Sequence, residues 1–167
     1  MHVAQIILTT GEDLEEARAN VEMLLEDRPG WSDWHCASGD GSFAGRWEGE
    51  FFGEDNKFDA LRYSDNPELA EQVIATQLEK RMREIEELRE KLADFSLLTL
   101  EYDPMKRQEN VIDIFRWEQL AKLLNNEWCP ECYIFDLEHH SAGMRFFQAR
   151  AAETPEDQWL IAVDFHF

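Results

Sequence analysis

The residues in this chain best suited to chemistry are two cysteines three positions apart, Cys129 and Cys132, in Trp128-Cys129-Pro130-Glu131-Cys132. Such a pair has two well-known uses. In a thioredoxin-like site the first cysteine opens a helix, whose N-terminus stabilises its thiolate. In a zinc knuckle the pair supplies two of four tetrahedral ligands. Here the segment before the motif reads as helix and the segment after it as strand, so Cys129 does not open a helix and the redox reading loses its physical basis. A zinc site would need two more ligands, and there is no second Cys-x-x-Cys. His35-Cys36 holds the only other cysteine, and neighbouring strand residues point to opposite faces. The plainer reading is two thiols packed at a helix–strand turn, with zinc as the alternative.

A second constellation joins Asp136-Leu137-Glu138-His139-His140 to Asp164-Phe165-His166. Asp136 and Glu138 share one face of a strand, as do Asp164 and His166. If the two strands pair, three carboxylates and an imidazole converge. Such a group suits Mg²⁺ or Mn²⁺, and through metal-activated water a phosphoester hydrolysis. The competing account is a solvated sheet face, since Leu137, Val163 and Phe165 alternate with the polar residues. The glycine-rich run from Gly39 to Arg46 lacks the Gly-Lys-Ser/Thr ending of a phosphate loop. It also lacks the strand-turn-helix setting of a dinucleotide site. No Gly-x-Ser-x-Gly elbow is present.

Around these residues the chain divides into short elements. His2 to Thr9 reads as a strand. Thr10 with Asp13 reads as a helix start, and Leu14, Ala17, Val21 and Leu24 follow at helical spacing. Trp34–Ala37 and Phe43–Phe52 read as short strands. Asn66-Pro67-Glu68 opens the clearest helix, with a stripe of Ile74, Leu78, Met82, Ile85, Leu88 and Leu92 to about residue 93. Phe95 to Tyr102 reads as a strand. Val111 to Leu124 reads as a helix with Ile114, Trp117, Leu120, Ala121 and Leu124 inward. Tyr133–Glu138 is a strand, 141–152 a helix and Trp159–Phe167 a terminal strand. The expected fold is α+β: a ferredoxin-like β-α-β-β-α-β core with an α-β-(α)-β extension, mainly antiparallel and covered by helices. No linker divides residues 1–167, so a single domain is expected.

The charge balance sets the functional class. Sixteen basic residues stand against 36 acidic ones, a net charge of −20. That repels nucleic acid and anionic membranes and attracts basic surfaces. Six tryptophans and 11 phenylalanines are enough aromatic content for a packed core rather than a disordered chain. The start of the chain carries no basic region with a long apolar run, and no stretch is long enough to span a bilayer. The expected location is therefore the cytoplasm.

One resemblance adds to this. Asp33-Trp34, then Gly45-Arg46-Trp47, and the terminal Val163-Asp164-Phe165-His166-Phe167 look like blocks shared by a loose group of uncharacterised tailed-phage and prophage proteins, with Ala44 where that group has a first glycine. The resemblance implies a phage accessory protein working in the host cytoplasm. The leading expectation is a non-enzymatic acidic protein, without cofactor, that inhibits a basic host or defence protein by occupying its nucleic-acid-binding surface. The candidate contact residues are Glu12, Asp13, Glu15 and Glu16, and Glu84, Glu86, Glu87 and Glu90. The alternatives are the hydrolase built on Asp136, Glu138, Asp164 and His166, and a zinc module built on Cys129 and Cys132 with Cys36 or His35.

Overall fold

A computed structural model describes residues 2–26, 34–37, 47, 49–53, 56, 59–93, 107–125, 127, 129, 132–136 and 144–166. The elements are β1 (His2–Thr10), α1 (Leu14–Glu26), β2 (Trp34–Ala37), β3 (Ala60–Arg62), α2 (Pro67–Lys91), α3 (Arg107–Leu124), β4 (Ile134–Asp136), α4 (Met144–Glu153) and β5 (Gln158–His166). Single turns of 3-10 helix, Tyr63–Asp65 and Pro155–Asp157, precede α2 and β5.

The sheet is mixed, in the order β2-β5-β1-β4, with β3 also on β5. β5 runs antiparallel to β1 along its whole length, from His2 opposite His166 to Thr10 opposite Gln158. Its other edge is shared: β2 pairs with Val163–His166 and β3 with Trp159–Ile161. β2 and β3 therefore follow one another along the same edge, bridged by the Ala162 amide donating to the Asp59 carbonyl. β1 pairs in parallel with β4 on its far side.

This register explains the core. Ile6, Leu8, Leu160 and Ala162 share one face with Ile134, and meet Ala70, Val73 and Ile74 of α2 and Phe147 and Ala151 of α4. Ile7, Ile161, Val163 and Phe165 share the other face with Phe135, and meet Ala17, Val21 and Leu25 of α1. Both faces are thus covered, which makes three layers, α/β/α. A third cluster lies off the sheet, where Ile85 and Leu88 of α2 meet Leu123 of α3 with Cys129 and Cys132.

The α+β class holds, but the described strands do not form the ferredoxin-like order. In that order the central strand is flanked by strands of the first six elements, with the helices on one face. Here both edges of β1 are filled by the later strands β4 and β5, and helices cover both faces. The expected strand Phe95–Tyr102 lies outside the described residues. Within the expected strand Phe43–Phe52, the described residues Gly49–Phe52 form a turn, with Gly49 at φ 76°. Phe51 and Phe52 are nevertheless buried.

Two helix expectations shift by part of a turn. α1 is capped by Asp13, whose side chain accepts the Glu16 amide at 2.9 Å, and not by Thr10, which is the last residue of β1. α2 starts as expected, with the Asn66 side chain accepting the Leu69 amide and Pro67 in the first turn. Its buried stripe is Ala70, Val73, Ile74, Gln77, Arg81, Ile85 and Leu88, so Met82, at 54% exposure, faces out. The reason is Arg81: its guanidinium reaches the Leu123 carbonyl at the end of α3. There it satisfies an otherwise open helix-terminal acceptor with a favourable charge. α3 shows only Leu123 buried among its described side chains, and Trp117 and Leu124 are exposed rather than inward.

Candidate functional site

Two members of the carboxylate–histidine constellation, Asp136 and Asp164, stand apart. β4 and β5 do not pair, because β1 lies between them. Asp136 is level with Leu8, which faces Leu160, whereas Asp164 lies four residues further along β5. Two strand spacings and four residues put their backbones about 16 Å apart. Glu138 lies outside the described residues. Each aspartate instead has its own local partners. Asp136, 1% exposed, accepts from the Arg150 guanidinium of α4 at 3.3 Å, and the same Arg150 donates to Gln158 at 3.0 Å. One arginine thus satisfies two buried polar residues on strands that are not neighbours.

Asp164 and His166 do share a face, and the structure adds His2 to them. The His2 Nδ1 lies 2.9 Å from the Asp164 carboxylate, and the His2 and His166 rings meet edge-on at 4.8 Å between centroids. The other Asp164 oxygen is buried without a hydrogen-bond partner among the described residues. An imidazole oriented by a carboxylate is the arrangement of a general base, but no described nucleophile lies beside it. His2 was missed in the sequence because its place depends on the register of β1 against β5, across more than 160 residues.

The zinc alternative is not assembled either. Cys129 and Cys132 are 2% and 0% exposed, with their sulfurs 3.5 Å apart, and lie just before β4 at one edge of the sheet. His35 and Cys36 are in β2 at the opposite edge. The His35 imidazole bonds the Glu22 carboxylate of α1 at 2.8 Å, and Cys36 takes the register position opposite Asp164. Among the described residues no three His, Cys, Asp or Glu side chains are arranged to hold a metal ion.

The acidic candidates divide into two kinds. On α2, Glu86, Glu87 and Glu90 are exposed and Glu84 is half-buried, but Arg83, Arg89 and Lys91 are exposed among them and Lys91 pairs with Glu87 at 3.4 Å. That face is mixed in sign. At the start of α1 the balance is different: Glu12, Asp13, Glu15 and Glu16 are all exposed, and the helix's one basic residue, Arg18, is half-buried. Two of these four have structural work. Asp13 caps the helix, and the Glu16 carboxylate accepts the Glu12 amide at 2.7 Å.

The pairing of β1 with β5 brings a second acidic segment to the same end of the sheet. Arg62, lying over the Trp159 ring, donates to the carbonyls of Glu12 and Glu156. The Gly11 amide donates to the Asp157 carbonyl and the Trp159 indole to the Gly11 carbonyl. Exposed Glu156 and half-buried Asp157 therefore adjoin the start of α1. Nearby, burial and then the hydrogen bond to Glu71 raise the Tyr63 phenol above its usual pKa of 10.0, so it stays neutral and donates to that carboxylate. Sequence reasoning found Glu12 to Glu16 but not their juxtaposition with Glu156 and Asp157.

Comparison with known protein families, curated proteins and solved structures gave no match. No helix among the described residues is long and apolar enough to cross a membrane.

Proposed function

We propose that this protein is a non-enzymatic interaction protein that covers a basic, nucleic-acid-binding surface of another protein with its own acidic end. One observation carries the reading: two acidic segments more than 130 residues apart, Glu12–Glu16 and Glu156–Asp157, are brought to one end of the sheet by Arg62 and the β1–β5 pairing. The net charge of −20 supports it from a distance, because it draws a basic partner in and keeps nucleic acid away. The resemblance to tailed-phage proteins would make that partner a host or defence protein, met in the host cytoplasm. The acidic face of α2 drops to a lesser role because its own basic residues offset it. No second reading is favoured: Asp136 and Asp164 stand on strands that do not pair, and Cys129 and Cys132 lie at the sheet edge opposite β2.

The test is a pull-down that identifies basic binders, followed by biosensor titration against salt and DNA. Binding should weaken steeply with salt, because the screening length falls from about 10 Å at 0.1 M to about 3 Å at 1 M. DNA should compete for the partner. Two variants change the charge equally in different places: Glu12, Glu15 and Glu156 to Lys, and Glu86, Glu87 and Glu90 to Lys. Asp13 and Glu16 are left alone because they hold the helix start. The first set should abolish binding and the second only weaken it. Equal losses in both would show that net charge alone acts, and a partner that holds DNA and this protein together would rule out the proposal.

A further inference from the structure

We propose that Cys129 and Cys132 form a dithiol–disulfide couple that can lock the turn between α3 and β4. Their sulfurs are already in contact at 3.5 Å, and neither is part of a disulfide. Bond formation requires an approach to about 2.05 Å. The backbone is closed on itself at this point. The Cys132 amide donates to the Cys129 carbonyl at 3.0 Å, and the Cys129 amide donates to the Cys132 sulfur at 3.2 Å. The buried Gln5 side chain of β1 holds the same Cys129 carbonyl at 2.9 Å. On the other side, Tyr133 takes a left-handed φ of 61° and passes its carbonyl to the Ile6 amide, so β4 begins directly after the pair. Both ends of the turn are therefore fixed to β1, and the two sulfurs are held face to face.

The surroundings favour a neutral product. The sulfurs sit among Ile85 and Leu88 of α2 and Leu123 of α3. A disulfide is apolar and remains at home there. Its formation removes the Cys132 S–H, now bonded to the Glu127 carbonyl at 3.2 Å, as a donor. This couple is not a thioredoxin-like catalyst: it follows α3 instead of opening a helix, and both sulfurs are covered. It acts on its own fold, closing the turn between α3 and β4 beside Ile85, Leu88 and Leu123.

The reaction uses a low-molecular-weight disulfide as oxidant. One protein thiolate attacks it, forming a mixed disulfide and releasing one small thiol. The second cysteine then attacks the bound sulfur of the first, forming the Cys129–Cys132 bond and releasing the second small thiol. Two electrons pass from the protein to the oxidant, and the two cysteine protons end on the released thiols.

The full-length Cys36→Ser protein, which keeps only this pair, is equilibrated with reduced and oxidised glutathione, starting from both the dithiol and the disulfide so that slow access to buried sulfur does not matter. The same is done in urea. Acid-quenched samples are alkylated and weighed. The expected product is an internal disulfide that takes up no alkylating agent, whereas the dithiol takes up two groups, and that carries no glutathione adduct. Preorganised sulfurs should make it about tenfold or more favoured in the native chain than in the unfolded one. Equal or lower oxidation of the native chain overturns the proposal, as does a stable single-glutathione adduct. Stoichiometric zinc in protein purified without chelator, lost in Cys132→Ser, would also overturn it.

Discussion

Replacing Arg150 by Met tests whether Asp136 is a structural or a functional carboxylate. The Asp136 side chain is 1% exposed and that of Arg150 19%, with 3.3 Å between them. The substitution keeps most of the aliphatic bulk and removes the guanidinium from the buried carboxylate. Breaking a buried pair from one side costs about 3–5 kcal/mol, because the carboxylate stays buried and loses the Arg150 contact. The Gln158 oxygen, also buried, loses its donor in the same step. Against a total stability of about 5–15 kcal/mol, that is a large share. For a chain of this size it corresponds to a fall in melting temperature of about 6–20 °C. The assay is urea unfolding at neutral pH, reading the midpoint and the slope. Asp136→Asn should cost less, about 1–3 kcal/mol, since an amide can stay buried neutral. The double variant should be more stable than the sum of the two losses predicts, by about 0.5–3 kcal/mol. An Arg150→Met loss below about 1 kcal/mol would refute the reasoning. So would a gain in stability from Asp136→Asn, which is the sign expected of a carboxylate kept for function at the expense of the fold.

Two further predictions follow from burial. Ile85→Ala, in the off-sheet cluster, should cost about 2–5 kcal/mol, whereas Met82→Ala, three residues earlier and exposed, should stay within about 0.5 kcal/mol; equal losses by denaturant titration would return α2 to the stripe expected from its apolar residues. Gly11→Ala would bring a new Cβ to 2.6 Å from the Ala17 nitrogen, which is helix backbone and unable to rotate aside. It should cost about 1–3 kcal/mol as an overpacking change, and an alanine variant of unchanged stability would contradict the close approach of β1's end to α1.

What the sequence carried was local. Richness in Val, Ile and aromatic residues located β1 and β5, and Asn66-Pro67 located the start of α2. α1 was found too, although its cap was placed at Thr10. That residue is held in the ladder opposite Gln158, so the capping role passes to Asp13. The face of α2 was misjudged for a related reason. Counting apolar side chains cannot see that Gln77 and Arg81 are buried, because Arg81 goes inward for a carbonyl on a helix 42 residues away. β3 is three residues long and too short to show a period. The strand order was the least legible feature. β1 chooses partners near the other end of the chain, and nothing local in His2–Thr10 says which strands those are.

The same non-local pairing sets where the candidate chemical groups stand. Asp136 and Asp164 both belong to apolar-alternating strands, and their sequences look equally ready to share a metal. It is the insertion of β1 between them that separates them and gives each a different neighbour, Arg150 for one and His2 for the other. β1 also separates the two features that remain. The cysteine turn is tied to β1 at Gln5 and Ile6, and the acidic end is tied to it at Gly11 and Glu12. Six residues of extended strand from Gln5 to Gly11 place these attachments about 20 Å apart, further than two Debye lengths at about 0.15 M salt. Charge reversal at Glu12, Glu15 and Glu156 should therefore leave the glutathione equilibrium of Cys129 and Cys132 unchanged, and oxidation of the pair should leave binding through the acidic end intact. The two proposals can fail one at a time.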